Sequence, residues 1–254
     1  MTWQPVSDCG SDCLDTGGDL VASGRVLLRV LSIVGVLLGG LLLVPLLRRA
    51  AVRATARALL AVLGISLVWR GPAPRPGSLL VANHVSWLDI VALLAIHPVA
   101  LVAKHDIRRW PAIGLLARLS GSVFLDRTRP RLLPGTVGEV AATLRAGRSI
   151  AVFPEGTTFC GAVRGRFRPA MFQAAVDAQA PVVPIAIRYD STAAAFVGDD
   201  TLWDSVRRVA ALRSLTITLV AAPALRPTTS TNRRSLARAA QSCVGVSSAF
   251  GLAA

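Results

Sequence analysis

The sequence predicts an α/β fold, in which helices cover a β-sheet, preceded by a hydrophobic helical segment that anchors the protein in a membrane. Two observations predict this fold class. From residue 78 onward, short apolar runs alternate with stretches of helical length, and this alternation is typical of an α/β sheet. A long uncharged apolar run lies closer to the N-terminus, and the mean hydropathy of the chain, +0.55, also points to membrane contact.

Residues 1–24 are the first segment, and we expect them to be a mobile tail because they are polar, acidic and contain glycine. Cys9 and Cys13 in this tail have the spacing of metal ligands, but no second cysteine pair or histidine cluster accompanies them. We therefore predict free thiols and no metal site. A Cys9–Cys13 disulfide would require an N-terminus outside the cytoplasm.

Residues 25–70 are predicted to be membrane-associated and helical. Val30 to Leu47 is an uncharged apolar run of 18 residues with arginines on both sides, and as a helix it would be roughly 27 Å long, close to the thickness of the hydrocarbon core. A second apolar stretch, Ala58 to Trp69, is too short to span. The first run therefore either spans the membrane with the acidic tail outside, or forms with the second a helical hairpin that enters one leaflet. A third alternative is two buried helices of a soluble core.

Residues 71–77 contain three prolines and are predicted to be a stiff linker at a domain boundary. An α/β domain over residues 78–230 follows, and then a helical C-terminal tail, 231–254. The predicted strands are Leu79–Ala82, Ala100–Ala103, Val123–Leu125, Ile150–Phe153, Val182–Ile187 and Leu215–Ala221. The predicted helices are Leu88–Ile96, Pro111–Leu119, Val137–Ala146 and Ala170–Ala178.

His84 and Asp89 are the candidate catalytic residues. They follow the predicted strand Leu79–Ala82, and Ser86 suits the N-cap of a helix that carries Asp89 in its first turn. A carboxylate on the far nitrogen of an imidazole fixes its tautomer and stabilises the imidazolium, so the pair can take a proton from an alcohol. The sequence has no nucleophile elbow and no reactive-cysteine signature. The pair therefore indicates a base that activates a substrate hydroxyl.

His84 and Asp89 belong to the first of four motifs that follow one another along the chain. The motifs are Asn-His-x-x-x-x-Asp at 83–89, Gly-x-x-Phe-x-x-Arg at 121–127, Phe-Pro-Glu-Gly-Thr at 153–157 and an apolar run with a central proline at 182–185. In this order they resemble the four blocks of the glycerolipid acyltransferases typified by 1-acylglycerol-3-phosphate acyltransferase. The chain departs from that pattern at Thr158, where the family often has Arg, and at Asp106-Ile107, where it often has Glu-Leu.

The resemblance implies a single mixed sheet like that of glycerol-3-phosphate acyltransferase, and transfer of an acyl group from a thioester to a lipid hydroxyl. His84 would be the general base, oriented by Asp89. Glu155, Gly156 and Thr157 would bind the acceptor. Arg127 would bind a phosphate, and Arg164, Arg166 or Arg168 would supply the charge absent after Thr157. Either Asn83 or the backbone N–H groups at the start of the following helix would stabilise the oxyanion.

The implied acceptor is lysophosphatidic acid, with a lyso-ornithine lipid or a lysophospholipid as the alternative. The donor would be acyl-CoA or acyl-carrier protein, and no other cofactor is expected. A thioesterase and a non-catalytic lipid-binding protein are competing hypotheses. The net charge of +14, almost all from arginine, favours anionic lipids as partners, whereas the scattered arginines and few aromatics argue against nucleic acid. We expect a cell-membrane protein whose catalytic domain faces the cytoplasm.

Overall fold

A mixed sheet of seven strands forms the centre of the molecule in the computed structural model, which describes residues 5–15, 17, 19–97, 99–110 and 113–249. The strands are β1 (Ile65–Arg70), β2 (Leu79–Ala82), β3 (Ala100–Lys104), β4 (Val123–Leu125), β5 (Ile150–Val152), β6 (Val182–Tyr189) and β7 (Leu215–Ala221). Their order across the sheet is β1-β7-β6-β2-β5-β3-β4. Strands β2 to β6 run parallel to one another, and β7 and β1 run in the opposite direction. The prediction of a single mixed sheet is confirmed.

Seven α-helices accompany the sheet within the described residues: α1 (Ser23–Leu63), α2 (Leu88–Ile96), α3 (Ile113–Leu119), α4 (Leu133–Arg145), α5 (Ala170–Ala178), α6 (Leu202–Ala211) and α7 (Arg233–Ala249). Alternate residues of the buried strands enter two apolar cores, one on each face of the sheet. Helices α1, α2 and α6 cover the first face, and α4, α5 and α7 cover the second.

Most predicted elements are present within a few residues of their expected bounds. Helix α4 begins four residues earlier than predicted, and residues 111 and 112, expected at the start of α3, lie outside the described part of the chain. Helix α6 was not predicted. Its start carries a recognisable signal, because the Thr201 hydroxyl accepts a hydrogen bond from the Asp204 N–H at 3.1 Å. Ser86, expected to cap α2, makes no cap hydrogen bond with its hydroxyl; the cap position is Trp87.

Helix α1 is a helical hairpin. In a straight helix residues 40 and 55 would be about 22 Å apart, but a Cβ added to Gly40 would overlap the Thr55 side chain. Likewise, a Cβ on Gly64 would lie 2.7 Å from Arg29 Nη2. The chain therefore reverses within α1, which contains Pro45. The second arm packs on the protein, and the Arg53 and Arg57 Nε–H groups both donate to the Ala95 carbonyl at the end of α2.

The first arm of the hairpin is mostly exposed and apolar. Ser23–Leu47 is long and apolar enough to cross a membrane, and only 11% of its most apolar stretch is buried. The large exposed side chains of this arm are Leu27, Leu28, Leu31, Val34, Leu38, Leu42, Leu43, Leu46 and Leu47. This arm is a candidate membrane anchor.

The second apolar stretch does not extend as a helix to Trp69 as predicted. Its helical part ends at Leu63, and Ile65–Arg70 is strand β1, which pairs with β7. Because β1 precedes the proline-rich segment 71–77 and belongs to the same sheet, that segment is not a domain boundary. It is a connection between two strands of one domain.

Residues near the N-terminus also differ from the expectation of a mobile tail. Cys9 is buried with Val85 and Cys160, and Leu20 forms a β-bridge with Leu212. The Val21 N–H donates to the Ala211 carbonyl at 2.8 Å. These contacts place the N-terminal segment beside the sheet, which agrees with the alternative of a helical hairpin rather than with a single span that leaves the tail outside. Of the predicted C-terminal tail, 231–254, the described part contains helix α7 as expected, and residues 250–254 lie outside the described residues. Helix α7 belongs to the second core rather than to a tail.

Candidate active site

His84 lies just beyond the carboxyl end of β2, and its Nδ1 is 2.8 Å from Asp89 Oδ2. Asp89 is in the first turn of α2 and is fully buried, whereas 17% of the His84 side chain is exposed. The Phe153 ring stacks on the imidazole, with centroids 4.0 Å apart and planes 14° apart. Because the Asp89 carboxylate can only accept, the hydrogen bond places the proton of the neutral imidazole on Nδ1. Nε2 is therefore the nitrogen that can accept a proton.

Asp89 is held as a carboxylate by four donors. Its Oδ2 accepts hydrogen bonds from the Val85 N–H at 2.7 Å and the Ser86 N–H at 3.0 Å as well as from His84. Its Oδ1 accepts one from the Tyr189 hydroxyl at 2.5 Å. Burial and the Asp89 charge raise the pKa of Tyr189 well above its ordinary value, so the phenol stays a proton donor. These hydrogen bonds stabilise the buried negative charge of Asp89 next to the imidazole of His84.

Glu155 follows β5, the neighbour of β2, but its carboxylate does not face the open cavity. It is 2% exposed, and its two oxygens accept hydrogen bonds from the His84 N–H at 2.6 Å and the Gly165 N–H at 2.9 Å. The Phe159 N–H donates to the His84 carbonyl at 2.8 Å. The loop after β5 therefore fixes the His84 backbone from both sides. Burial raises the pKa of Glu155 to about 7, against the two backbone hydrogen bonds.

Arg127 reaches the same rim from the end of β4. Its Nη1 donates to the Gly156 carbonyl, and burial together with the nearby Arg168 charge lowers the pKa of its guanidinium. Gly156 has φ +81°, and a Cβ there would lie 2.7 Å from Pro5 Cγ. Glycine is thus required at this position both by the backbone conformation and by the close approach of the N-terminal segment.

Asn83 and Arg166 are two further predicted site residues, and each lies in a different setting. Asn83 bridges β2 to β6, because its Nδ2 donates to the Ile187 carbonyl at 3.0 Å and its Oδ1 accepts from the Ile187 N–H at 2.8 Å. Through these two hydrogen bonds Asn83 supports the sheet, and its role at an oxyanion stays a prediction. Arg166 lines a neighbouring cavity of about 430 Å³, together with Arg168 and Glu155.

A large cavity of about 1140 Å³ opens at His84 and combines two kinds of surface. Its apolar lining residues include Ile90, Leu101, Ile107, Leu133 and Met171. Its polar lining residues include Thr157 and the basic residues Lys104, Arg127, Arg168 and Arg233. A site of this shape can hold a hydrocarbon chain and an anionic headgroup at the same time, with a base between them.

Comparison with known proteins identifies the family. Residues 69–188 match the family model described as Acyltransferase. A 1-acyl-sn-glycerol-3-phosphate acyltransferase of Neisseria gonorrhoeae is 37% identical over 180 residues, which are 68% of this chain and 71% of the relative. The chain belongs to this acyltransferase family. It is therefore an acyltransferase, and the predictions of an enzyme and of its family are confirmed.

Two further similar proteins are a relative with a different name and a solved structure of lower sequence identity. A lyso-ornithine lipid O-acyltransferase of Pseudomonas aeruginosa is 38% identical over 146 residues, 55% of each protein. The crystal structure of PlsC, the 1-acyl-sn-glycerophosphate (LPA) acyltransferase of Thermotoga maritima, matches with a TM-score of 0.68, covering 89% of this chain and 96% of that one. At 20% identity, this match supports the fold alone.

Sequence reasoning missed two residues of the candidate site, Tyr189 and Phe153. Phe153 was considered only as part of a motif and the end of a predicted strand, yet its ring stacks on His84, and the Tyr189 hydroxyl bonds to Asp89. Arg168, one of the three loop arginines named as candidates, lines the His84 cavity. The available signal for Tyr189 was its position at the carboxyl end of β6, beside β2. In such sheets the strand ends are where site residues gather.

Proposed function

We propose that this acyltransferase transfers a fatty acyl group from a thioester to the sn-2 hydroxyl of lysophosphatidic acid, giving phosphatidic acid in phospholipid biosynthesis. The observation that carries the proposal is the buried Asp89 carboxylate on His84 Nδ1, in a cavity lined by both apolar and basic residues. The names of the Neisseria relative and of PlsC agree with it.

His84 is the general base of the proposed reaction. Its Nε2 takes the proton of the acceptor hydroxyl while the oxygen attacks the thioester carbonyl, and the Asp89 carboxylate stabilises the imidazolium that forms. The tetrahedral intermediate then collapses, the carbon–sulfur bond breaks, and the imidazolium returns its proton to the leaving thiolate. A thioester is already activated, so positioning the hydroxyl is sufficient and no covalent acyl-enzyme is needed.

The acceptor phosphate binds at the basic part of the cavity. Arg127 and Arg168 line it, and the Arg127 guanidinium is already held against the Gly156 carbonyl, which orders the side chain. Guanidinium groups bind phosphate through paired hydrogen bonds. Thr157 lines the same cavity and supplies a hydroxyl donor for a glycerol or phosphate oxygen. Glu155 serves the site from beneath by holding the His84 backbone.

The donor thioester, acyl-CoA or acyl-carrier protein, approaches from the neighbouring cavity. Four arginines line that cavity: Arg166, Arg168, Arg234 and Arg238. Its guanidinium groups suit the phosphates of a coenzyme or of a phosphopantetheine arm. We expect the double variant R234A/R238A to raise KM for acyl-CoA while KM for the acceptor stays the same. An unchanged donor KM would contradict this placement.

The hairpin arm Ser23–Leu47 holds the enzyme on the membrane in which its lipid substrate lies. Because the segment before the arm contacts the catalytic domain, both ends of the hairpin are on one side of the bilayer. The donor is made in the cytoplasm, and we place the catalytic domain on that side. The net charge of +14 favours anionic headgroups there.

A second acceptor class is a lyso-ornithine lipid. Relatives with that name are 31% to 40% identical to this chain, and Thr158 stands where the pattern of the resembled family often has Arg. A panel of phosphate-bearing and phosphate-free lysolipids, assayed at equal concentrations, separates the two. Preference for the phosphate-free acceptor would replace lysophosphatidic acid in the proposal and leave the chemistry unchanged.

The decisive experiment measures the transfer of a labelled acyl group from acyl-CoA to lysophosphatidic acid in liposomes. It compares the wild type with His84→Ala and His105→Ala. We expect a phosphatidic acid product that is lost only in His84→Ala, with all three proteins folded. Release of free fatty acid at the same rate with and without lysolipid would indicate a thioesterase instead. Tight lipid binding with no transfer to any acceptor would indicate a binding protein.

A further inference from the structure

Three cysteines far apart in the sequence converge beside the active site. The Sγ atoms of Cys9, Cys13 and Cys160 all lie within 4.8 Å of one another. Cys9 and Cys160 are buried, and Cys13 is half-buried. The short helical turn Ser11–Cys13 brings the first two together, with the Cys13 N–H bonded to the Gly10 carbonyl. Cys160 comes from the loop after β5, which also carries the acceptor-binding residues.

The backbone around this cluster donates hydrogen bonds to sulfur. The Cys160 N–H lies 3.3 Å from Cys9 Sγ. The backbones of Ala162 and Val163 bond to Cys160 Sγ, because Gly161 with φ +91° turns the chain back toward it. The Gly10 backbone bonds to Cys13 Sγ. The Cys160 side chain also bonds to Cys13 Sγ, and this bond raises the pKa of the Cys13 thiol to about 11. A metal ion bound by the cluster would displace such thiol protons, because cysteine binds metal ions as the thiolate.

We propose that Cys9, Cys13 and Cys160 bind a thiophilic divalent cation, with Zn²⁺ as the expected ion. Three thiolates around zinc, each bonded at about 2.3 Å, stand about 3.8 Å apart, so the observed grouping needs only small side-chain adjustments. Water would complete the tetrahedral coordination that zinc prefers. A disulfide would use two of the three sulfurs and leave the third, with its donors, unexplained.

The metal would join the N-terminal segment to the rim of the active site. Residues 5–14, the strap, run from Pro5 beside Gly156 in the His84 cavity to the cysteine turn. Cys9 and Cys160 pack on Val85, which adjoins His84. Cys160 directly follows Phe159, whose N–H bonds the His84 carbonyl. The cation therefore fixes the strap and the acceptor loop in one arrangement next to the base.

Metal content of the full-length protein tests the proposal without reference to turnover. The wild type, Cys13→Ser, Cys160→Ser and the control Cys243→Ser are purified under reductant, and zinc is measured by mass spectrometry. Apoprotein is then titrated with Co²⁺, and the thiolate-to-cobalt charge-transfer absorption is recorded. We expect about one metal ion per chain in the wild type and in Cys243→Ser, and none in the other two. Cys13→Ser removes the half-exposed ligand and gives a folded variant even if Cys160→Ser does not fold.

Two results would overturn the proposal. One is folded, reduced wild type that takes up neither zinc nor cobalt; the other is a disulfide between two of these cysteines, mapped by peptide mass. A second readout is hydrogen exchange of residues 5–15, which we expect to quicken when the metal is chelated. Unchanged exchange would mean that the cation does not hold the strap. None of these measurements depends on which lysolipid is the acceptor, so the proposed function can fail independently.

Discussion

Replacing Asp89 with Asn removes the charge beside His84 and keeps the shape of the side chain. Three donors, on His84, Val85 and Ser86, converge on Asp89 Oδ2, and one, on Tyr189, points at Oδ1. The single oxygen of an asparagine therefore takes the Oδ2 position, and its amide group faces the Tyr189 oxygen. We expect the variant to keep the proton of His84 on Nδ1, as in the wild type.

The variant then loses only the attraction between carboxylate and imidazolium. Two unit charges about 4 Å apart, at an effective dielectric constant of about 20, attract each other by about 4 kcal/mol. Because about 1.4 kcal/mol corresponds to a tenfold change in rate, turnover should fall about 10³-fold. Loss of the correct tautomer as well, as in a serine protease triad, costs about 10⁴-fold.

The assay is the initial rate of acyl transfer by the wild type, Asp89→Asn, His84→Ala and the double variant. Asp199→Asn, at an exposed position, is the matched control. Because Asp89 acts through His84, its replacement should cost nothing further in the His84→Ala background. A rate within tenfold of the wild type would refute the role of the charge, and a further loss in the double variant would refute the pairing.

Three other predictions concern stability, membrane binding and the acceptor. The pKa of Glu155, about 7 in the folded protein against 4.5 as its ordinary value, means that its contribution to stability is present below pH 4.5 and lost as pH rises through 7. The free energy of unfolding of the wild type relative to Glu155→Gln, from urea titrations, should therefore fall by about 3 kcal/mol over that range; a constant difference would contradict the buried carboxyl. The variant L38R/L42R changes exposed positions of the hairpin, and each arginine costs about 3 kcal/mol in a membrane. It should no longer sediment with liposomes, whereas Val246→Arg should. Arg127→Ala should raise KM for a phosphate-bearing acceptor about tenfold or more, because it removes a hydrogen bond to a charged group. KM for a phosphate-free lysolipid should stay unchanged. An equal rise of KM for both acceptors would mean that Arg127 only holds the loop at Gly156 and does not bind the phosphate.

The sheet was largely predictable because its parallel strands are buried on both faces and appear as short apolar runs bounded by turn residues. The same reasoning failed at β1. Ile65–Arg70 follows an apolar helix with only Gly64 between them, so composition gave no sign of the change from helix to strand. Gly64, with φ +71°, is the residue that ends the helix. The pairing of β1 with β7, 150 residues later in the chain, supplies what the local sequence does not.

The candidate site divides in the same way. His84 and Asp89 are five residues apart, and their pairing follows from a strand end and a helix start, which are local features. The other contacts are long-range: Tyr189 reaches Asp89 across 100 residues, and Cys9 reaches Cys160 across 151. Such contacts cannot be predicted from hydrophobic periodicity or motif spacing, because they depend on the order of the strands in the sheet.

The roles of the polar residues in the four motifs depend on the same long-range contacts. Glu155 and Asn83 both stand in blocks that resemble substrate-binding motifs, and both are buried with their polar atoms committed to backbone groups. An unpaired buried carboxylate or amide would cost several kcal/mol, so these side chains are fixed by the fold before any substrate arrives. The block 153–157 thus has two kinds of contact: Gly156 and Thr157 line the cavity, and Glu155 holds the backbone of His84. In the proposed reaction, residues that bind the acceptor and a residue that positions the base would share one short segment because β5 and β2 are neighbours in the sheet.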